Sequence, residues 1–319
     1  MTVVNNKTFL ENINILKKII SKNKSVVIDV ETNGLYPYKN NQICGIGVGD
    51  TDYEVTQYYA FRHHQGENLN PKYLTQLIEC LNTAEVYIGY NIKFDLHFLI
   101  NEGLDVSNKK LVDVIVMVRL IEHSDIRDLA LTPTSSRHYG SESVQYDIDT
   151  KKELRSNKWH KDFSLAPVEL LGEYCKKDVL LTTKLYQDIT KKIKNTNQTK
   201  LFELQCNLTQ VLFQMEQRGI SIDKEYAIDV KQAIINRLDE VEKEILHISG
   251  RIKWNYDIPM YSSDHDEKEF NISSPLQIGQ VFESMGIESL IKTPKGQSSW
   301  NEVALVSINH RLAGLIRQY

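Results

Sequence analysis

Ser25-Val-Val-Ile-Asp-Val-Glu-Thr-Asn-Gly34 is the stretch that decides the fold. Its β-branched opening, Ser25-Val-Val-Ile-Asp-Val30, reads as a buried strand, and Asn33-Gly34 reads as the turn that ends it. Side chains two apart on a strand leave the same face, so Asp29 and Glu31 project together. Two carboxylates held side by side repel unless a proton or a cation lies between them, and a hard cation such as Mg2+ takes oxygen ligands. Acidic pairs of this spacing are common on solvated surfaces. The strand exit gives this one weight, because α/β folds usually bind ligands there.

Working outward, residues 43–48 and 53–61 read as the next two strands of a meander, joined through Gly49-Asp-Thr-Asp52. Pro71 opens a helix to about Leu81, residues 85–90 form a strand, and residues 92–101 form a helix stopped by Gly103. Residues 110–114 begin another strand or helix, and the apolar run 111–121 is core, too short to span a bilayer. Residues 124–161 lack periodicity and read as a partly helical, mobile crossover. Pro167 starts a helical stretch to about Lys194, with a break expected near Lys176. The polar segment 191–200 marks a domain boundary, giving domains 1–195 and 196–319. Beyond it the pattern is helical: 201–217 closed by Gly219, then a helix capped by Asp223 and closed by Gly250. A third opens at Ser274-Pro275 and ends at Gly286, and Ser299-Trp-Asn-Glu302 has capping-box spacing for a fourth.

The 319 residues suffice for two cores, and 41% hydrophobic with 25% charged residues is ordinary for a soluble globular protein. No basic region followed by an apolar stretch stands at the N-terminus, and the four cysteines show no C-x-x-C spacing. A reducing, cytoplasmic setting without a membrane partner, and without a structural zinc or disulfide framework, fits best. The net charge of −4 argues weakly against nucleic-acid binding, but bound metal ions reverse the local sign of a carboxylate cluster.

Two further elements sharpen the first. Ile88-Gly-Tyr-Asn-Ile-Lys-Phe-Asp95 puts Asn91 and Asp95 four apart, on one face of the helix that starts there. Tyr174-Cys-Lys-Lys-Asp178 repeats that spacing. Each alone fits an ordinary helix surface; the three in order, on strand, helix and helix, are hard to explain by chance.

Asp29-Val-Glu31-Thr32, Asn91 with Phe94-Asp95, and Tyr174 with Asp178 resemble the three exonuclease motifs of the DEDD superfamily, tyrosine-bearing subgroup. That subgroup includes the proofreading domain of bacterial DNA polymerase I and ribonuclease D-like enzymes. The resemblance covers roughly residues 25–194 and implies an α/β, ribonuclease H-like mixed sheet flanked by helices. It also implies two divalent ions, Mg2+ or Mn2+. Residues matching Asp29, Glu31 and Asp178 hold one ion; Asp29 also touches the second, which Asp95 supports through water. Tyr174 orients the attacking water, since a phenol near pKa 10 is a poor base. Leu35 wedges against the terminal bases, and Thr32, Asn91 and Phe94 lie near the terminal nucleotide.

Gln214-Met-Glu-Gln-Arg-Gly-Ile-Ser-Ile-Asp223, Phe270-Asn-Ile-Ser-Ser-Pro-Leu-Gln-Ile-Gly279 and Lys292-Thr-Pro-Lys-Gly296 resemble the start of the thumb of family A DNA polymerases. The implied partners are DNA as a single-stranded 3′ end at the nuclease site and primer–template duplex at the thumb. Lys292 and Lys295 stand at a turn tip along that duplex. His265-Asp266-Glu267 spells a palm motif but lies in a polar loop upstream of the thumb signature, so it is a decoy. Without palm or fingers, no templated synthesis is expected. Either the chain is the first part of a longer polymerase, or it is one subunit of a split enzyme whose palm and fingers are a separate chain. Two other readings stand beside the DNA exonuclease: a ribonuclease D-like RNA exonuclease, and a non-catalytic duplex-binding module.

Overall fold

The computed structural model describes residues 2–122, 124–249 and 271–319. The decoy motif, Gly250 and Phe270 lie outside them. Two compact units divide the chain, residues 1–219 and 220–319.

The first unit opens with β1 (Thr2–Val4) and α1 (Phe9–Asn23), two elements that the sequence pattern did not lead us to expect. The strand is too short to carry a pattern. The helix carries one: Phe9, Ile13, Leu16 and Ile20 recur at helical spacing and are all buried. Then come β2 (Ser25–Thr32), β3 (Ile43–Gly49), β4 (Thr56–Ala60), α2 (Lys72–Leu81), β5 (Val86–Gly89), α3 (Ile92–Leu99), β6 (Lys110–Asp113) and α4 (Val114–Ile121). The six strands form one mixed sheet in the order β1-β4-β3-β2-β5-β6, antiparallel across β4-β3-β2 and parallel elsewhere. The turn after β3 takes residues 50–55: the Asp50 carboxylate accepts the N–H groups of Glu54 and Val55, so β4 starts later than the expected residue 53.

Strand alternation splits β2 between two cores. Val26, Ile28 and Val30 join the cluster built with α1, α2 and α3. Val27 joins the opposite cluster with α4 and α7, and Asp29 and Glu31 follow it in alternation onto that face.

The crossover is packed rather than loose. It forms α5 (Leu131–Tyr139) and α6 (Gln145–Ser156), and Thr134, Ser135, Asp147 and Leu154 are buried. The next helix, α7 (Val168–Asn195), runs 28 residues without the break expected at Lys176. Lys176 is itself buried, its ammonium paired with Glu173 at 2.5 Å. The i,i+3 pairing supports the helix where a lone buried lysine would oppose it.

The polar segment expected to end the first domain near residue 195 ends only α7. The helix after it, α8 (Thr199–Arg218), stays with the first unit: Phe213 stacks on His97 at 4.5 Å, Glu216 bonds His97 at 3.0 Å and pairs with Lys93, and Cys206 is buried beside α4. Gly219, at φ +69°, closes it as expected.

The second unit is helical: α9 (Lys224–Ser249), α10 (Pro275–Ser284), α11 (Glu302–Val306) and α12 (Arg311–Ile316). Asp223 accepts the Tyr226 N–H at 3.0 Å, and Ser274 accepts from Gln277 at 3.4 Å, so both expected caps are in place. Ser299 is not the cap of α11. Asn301 is, accepting from Ala304 at 3.0 Å, because the Ser299 backbone is tied to Ile291 and Ser289. Val241, Ile245, Ile278, Phe282 and Trp300 fill the core, with the Phe282 and Trp300 rings stacked at 5.2 Å.

Candidate active site

Three elements bring the acids together. Asp29 and Glu31 stand two apart on β2, and the register with β3 shifts between Glu31 and Thr32. The parallel pairing of β2 with β5 stops at Val27 and Ile88, which leaves the Val30 N–H beyond it without a strand partner. Asp95, in the first turn of α3, takes that N–H at 2.9 Å and is thereby fixed beside β2. Asp178 comes from α7, which crosses β3 at short range. Gly47 and Gly49 make this approach possible: a Cβ on Gly47 would sit 2.4 Å from Cys175 Sγ, and one on Gly49 would sit 2.6 Å from Val179.

The donors are not equivalent. Asp29, Glu31 and Cys175 offer ligand atoms all within 4.8 Å of one another. Asp178 instead accepts from the Tyr146 hydroxyl on α6. The Tyr174 hydroxyl donates to Asp147 at 3.1 Å, and Asp147 is held in turn by Thr132 at 2.9 Å and Lys151 at 2.7 Å. The sequence reading missed Tyr146, Asp147 and Cys175. The signal available for the first two was the Asp147/Lys151 spacing of one helical turn; nothing local marks Cys175.

The other expected substrate contacts are spread around the cluster. Asn91 is exposed but does not lie on the α3 face with Asp95. It sits in the left-handed region (φ +60°) before the helix, its N–H donating to Asp113 at 2.8 Å. The Thr32 hydroxyl is spent on the Gly34 carbonyl at 2.7 Å, and Phe94 packs half-buried against Phe98. Leu35 is 70% exposed on the loop between β2 and β3. A cleft of about 400 Å3 opens beside that loop, lined by Pro37, Tyr38, Asn41, Arg62, Phe98 and Glu102, and none of the four acids lines it. In the second unit, Lys292 pairs across a small ribbon with Ser298, and Lys292 and Lys295 are both exposed.

A family model for the 3′-5′ exonuclease of A-type DNA polymerases matches residues 2–194. The chain belongs to this 3′-5′ exonuclease family. Among its relatives, DNA polymerase I of Synechocystis sp. is 28% identical over 283 residues, 86% of this chain and 26% of that one. DNA polymerase I of Borreliella burgdorferi is 25% identical over 309 residues, covering 92% and 32%. DNA polymerase DpoZ of Salmonella phage PMBT28 is 23% identical, covering 91% and 45%. The chain thus spans less than half the length of these relatives. Its fold is similar to the POL domain of Pol1 from M. smegmatis, solved in complex with DNA primer-template and dNTP. That likeness has a TM-score of 0.59 at 14% identity, over 95% of this chain and 46% of that one.

Burial governs the electrostatics of this candidate site. It raises Asp29 from its ordinary 3.8 to about 6, against the pull of the Cys175 thiol. Burial and mutual repulsion push Glu31, Asp95 and Asp178 up well above the carboxylate range. Burial beside the acids likewise raises Tyr174 and disfavours its phenolate. Glu31 is decisive for whether cations fit. It is 4% exposed, and among the described residues no hydrogen bond or ion pair reaches its carboxylate. A buried carboxylate without a donor is costly, and a divalent cation supplies what the protein withholds. The donor set is mostly hard oxygen, which suits Mg2+ or Mn2+. No described helix is long and apolar enough to cross a membrane.

Proposed function

We propose that the chain is a metal-dependent 3′→5′ exodeoxyribonuclease of proofreading type. Asp29, Glu31, Asp95 and Asp178 would hold two divalent cations, and the observation that carries this is the unpartnered, buried Glu31 facing the other acids. Two such ions, when bound, stabilise both the attacking and the departing oxygen of a phosphodiester displacement.

The chain's own groups do the positioning. The Tyr174 hydroxyl donates its hydrogen bond to Asp147, so its oxygen is left to accept one from the attacking water. With its ionisation disfavoured, Tyr174 orients that water and does not abstract its proton. Leu35, exposed on its loop, would pack on an unstacked terminal base, with Asn91 and Phe94 flanking the terminal nucleotide. The hydrolysis belongs to the unit ending at Gly219; the helical unit beyond it would grip primer–template duplex through Lys292 and Lys295.

DNA is favoured over RNA because the relatives above are DNA polymerases. The test follows end-labelled single-stranded DNA and RNA of one sequence in Mg2+ or Mn2+. Stepwise release of mononucleotides from the DNA 3′ end is expected. Digestion that survives full chelation, or that proceeds from the 5′ end, overturns the proposal; faster trimming of RNA overturns the substrate assignment alone.

A further inference from the structure

Cys175 lies in the middle of this chemistry without a role in it. Its Sγ is fully buried, 3.2 Å from Asp29 Oδ2 and 3.8 Å from the Asp29 carbonyl, and makes no other hydrogen bond among the described residues. Helix α7 can place it there only because Gly47 has no side chain. At about 2.3 Å to sulfur and 2.0–2.2 Å to oxygen, two donors on one zinc-sized ion stand roughly 3–3.6 Å apart, which the Cys175–Asp29 spacing matches. The buried Glu31 carboxylate, unpartnered and within 4.8 Å of both, is the third donor.

We propose that Cys175 is a sulfur ligand of this site, so that the exonuclease takes thiophilic divalent cations, Cd2+ and Zn2+, through Asp29, Glu31 and Cys175 as well as hard cations through oxygen alone. The inference rests on the metal-site reading above. Soft thiolate selects Zn2+ and its heavier congener, whereas Mg2+ is indifferent to sulfur. On binding, the S–H bond breaks, its electron pair forms the metal–sulfur bond, and the thiol proton leaves to solvent together with any proton carried by the Asp29 and Glu31 carboxylates.

The experiment titrates Cd2+ into the full chain after chelator treatment and follows thiolate-to-cadmium charge-transfer absorption in the ultraviolet, with calorimetry for Cd2+ and for Mg2+. The wild type is expected to develop the band with one equivalent of Cd2+, and C44S to keep it. C175S should lose the band and weaken Cd2+ binding by roughly tenfold or more, since even loss of an outer-shell partner costs 10–100-fold. Its Mg2+ affinity should hold, whereas D29N should lose both ions. An undiminished band in C175S, or Mg2+ binding in the wild type with no band at all, overturns the inference and leaves the metal site standing. A wild type that binds neither ion overturns both. Should C175S fail to fold, X-ray absorption of the cadmium-loaded wild type decides. A sulfur scattering shell supports the ligand, and an oxygen-only shell overturns it.

Discussion

Asp29 must carry charge where its surroundings oppose it. Its folded-state value, raised to about 6, lies above the unfolded value near 3.8. Its contribution to stability is therefore present in full below about pH 4 and is lost as pH rises through about 6. The loss is on the order of 3 kcal/mol, and Glu31, Asp95 and Asp178, shifted the same way, extend it to higher pH. In chelator, the melting temperature should fall across this window, more gently in D29N; Mg2+ should restore it at neutral pH. A pH profile identical in wild type and D29N would refute the burial argument. Activity should separate the ligands from the groups that orient water: D29A and D178A are expected to lose nearly all of it, Y174F to keep a residue. Asp147 acts through Tyr174, so D147A should lower kcat with KM little changed and have no further effect on the Y174F background. Contacting residues couple by about 0.5–3 kcal/mol, enough for the double-mutant cycle to resolve. Independent losses in the cycle would remove Asp147 from this role. The pairings of Asp29 with Glu31 and of Tyr174 with Asp178 were legible as candidates because spacing along one strand or helix is local information. Tyr146 and Cys175 were not: Tyr146 meets Asp178 across helices, and Cys175 reaches Asp29 only through a glycine on a different strand.

At the scale of elements, the site depends on how closely α7 lies on the sheet. Gly45, Gly47 and Gly49 alternate onto the face of β3 that α7 covers, a role the sequence reading did not give them, since it placed Gly49 in the turn after the strand. Close approach, not backbone freedom, is what Gly47 provides. Gly47→Ala would set a methyl 2.4 Å from Cys175 Sγ and 3.0 Å from Val179. Overpacking of this kind costs about 1–3 kcal/mol, and here it also displaces Tyr174 and Asp178. The variant should melt earlier and lose activity even where it remains folded. Gly314→Ala, whose new methyl meets nothing within 4 Å in α12, should be neutral or stabilising by up to about 1 kcal/mol. Equal melting of Gly47→Ala and wild type would mean that α7 has slack. Element legibility followed signal strength. The strands from β2 to β5 and the helices α2, α3 and α7 carried clear periodicity or punctuation, whereas residues 110–114, which form β6, read equally as strand or helix. α5 and α6 did not: their sequences are polar, and beside Leu154 they bury Thr134 and Asp147, held by hydrogen bonds from Tyr90 and Thr132 that no hydrophobic pattern reports.

For the molecule as a whole, the order of an α/β unit before a helical one was readable from the shift in periodicity near residue 200. The limit of the first unit was not, because α8 looks like any amphipathic helix until Phe213 and Glu216 find His97. The net charge of −4 also misleads if taken as one number, since the candidate acids, Glu31 and Asp95 buried with Asp29 and Asp178 half-buried, lie in the first unit while Lys292 and Lys295 are exposed in the second. Hydrolysis and duplex grip should therefore be separable. Thr293 N–H donates to Gln297 at 2.7 Å and Gly296 N–H to Thr293 at 2.8 Å, which fixes a tight tip with Gly296 at φ +80°. Lys292 reaches only Ser298 Oγ, at 3.0 Å, and among the described residues neither lysine pairs with an acid, so both ammonium groups are available to phosphate. Phosphate contacts position without reading sequence. Replacing both lysines with alanine should thus weaken binding to primer–template DNA evenly across sequences. The slope of log K against log salt should flatten by roughly 0.9 for each phosphate no longer neutralised. Removal of nucleotides from short single strands should be unaltered, because the residues proposed for it, Asp29, Glu31, Asp95, Tyr174 and Asp178, all belong to the first unit. Fluorescence anisotropy of labelled duplex over a salt series measures the slope. A slope unchanged by the double substitution would make these lysines solvated surface charge and place the duplex elsewhere.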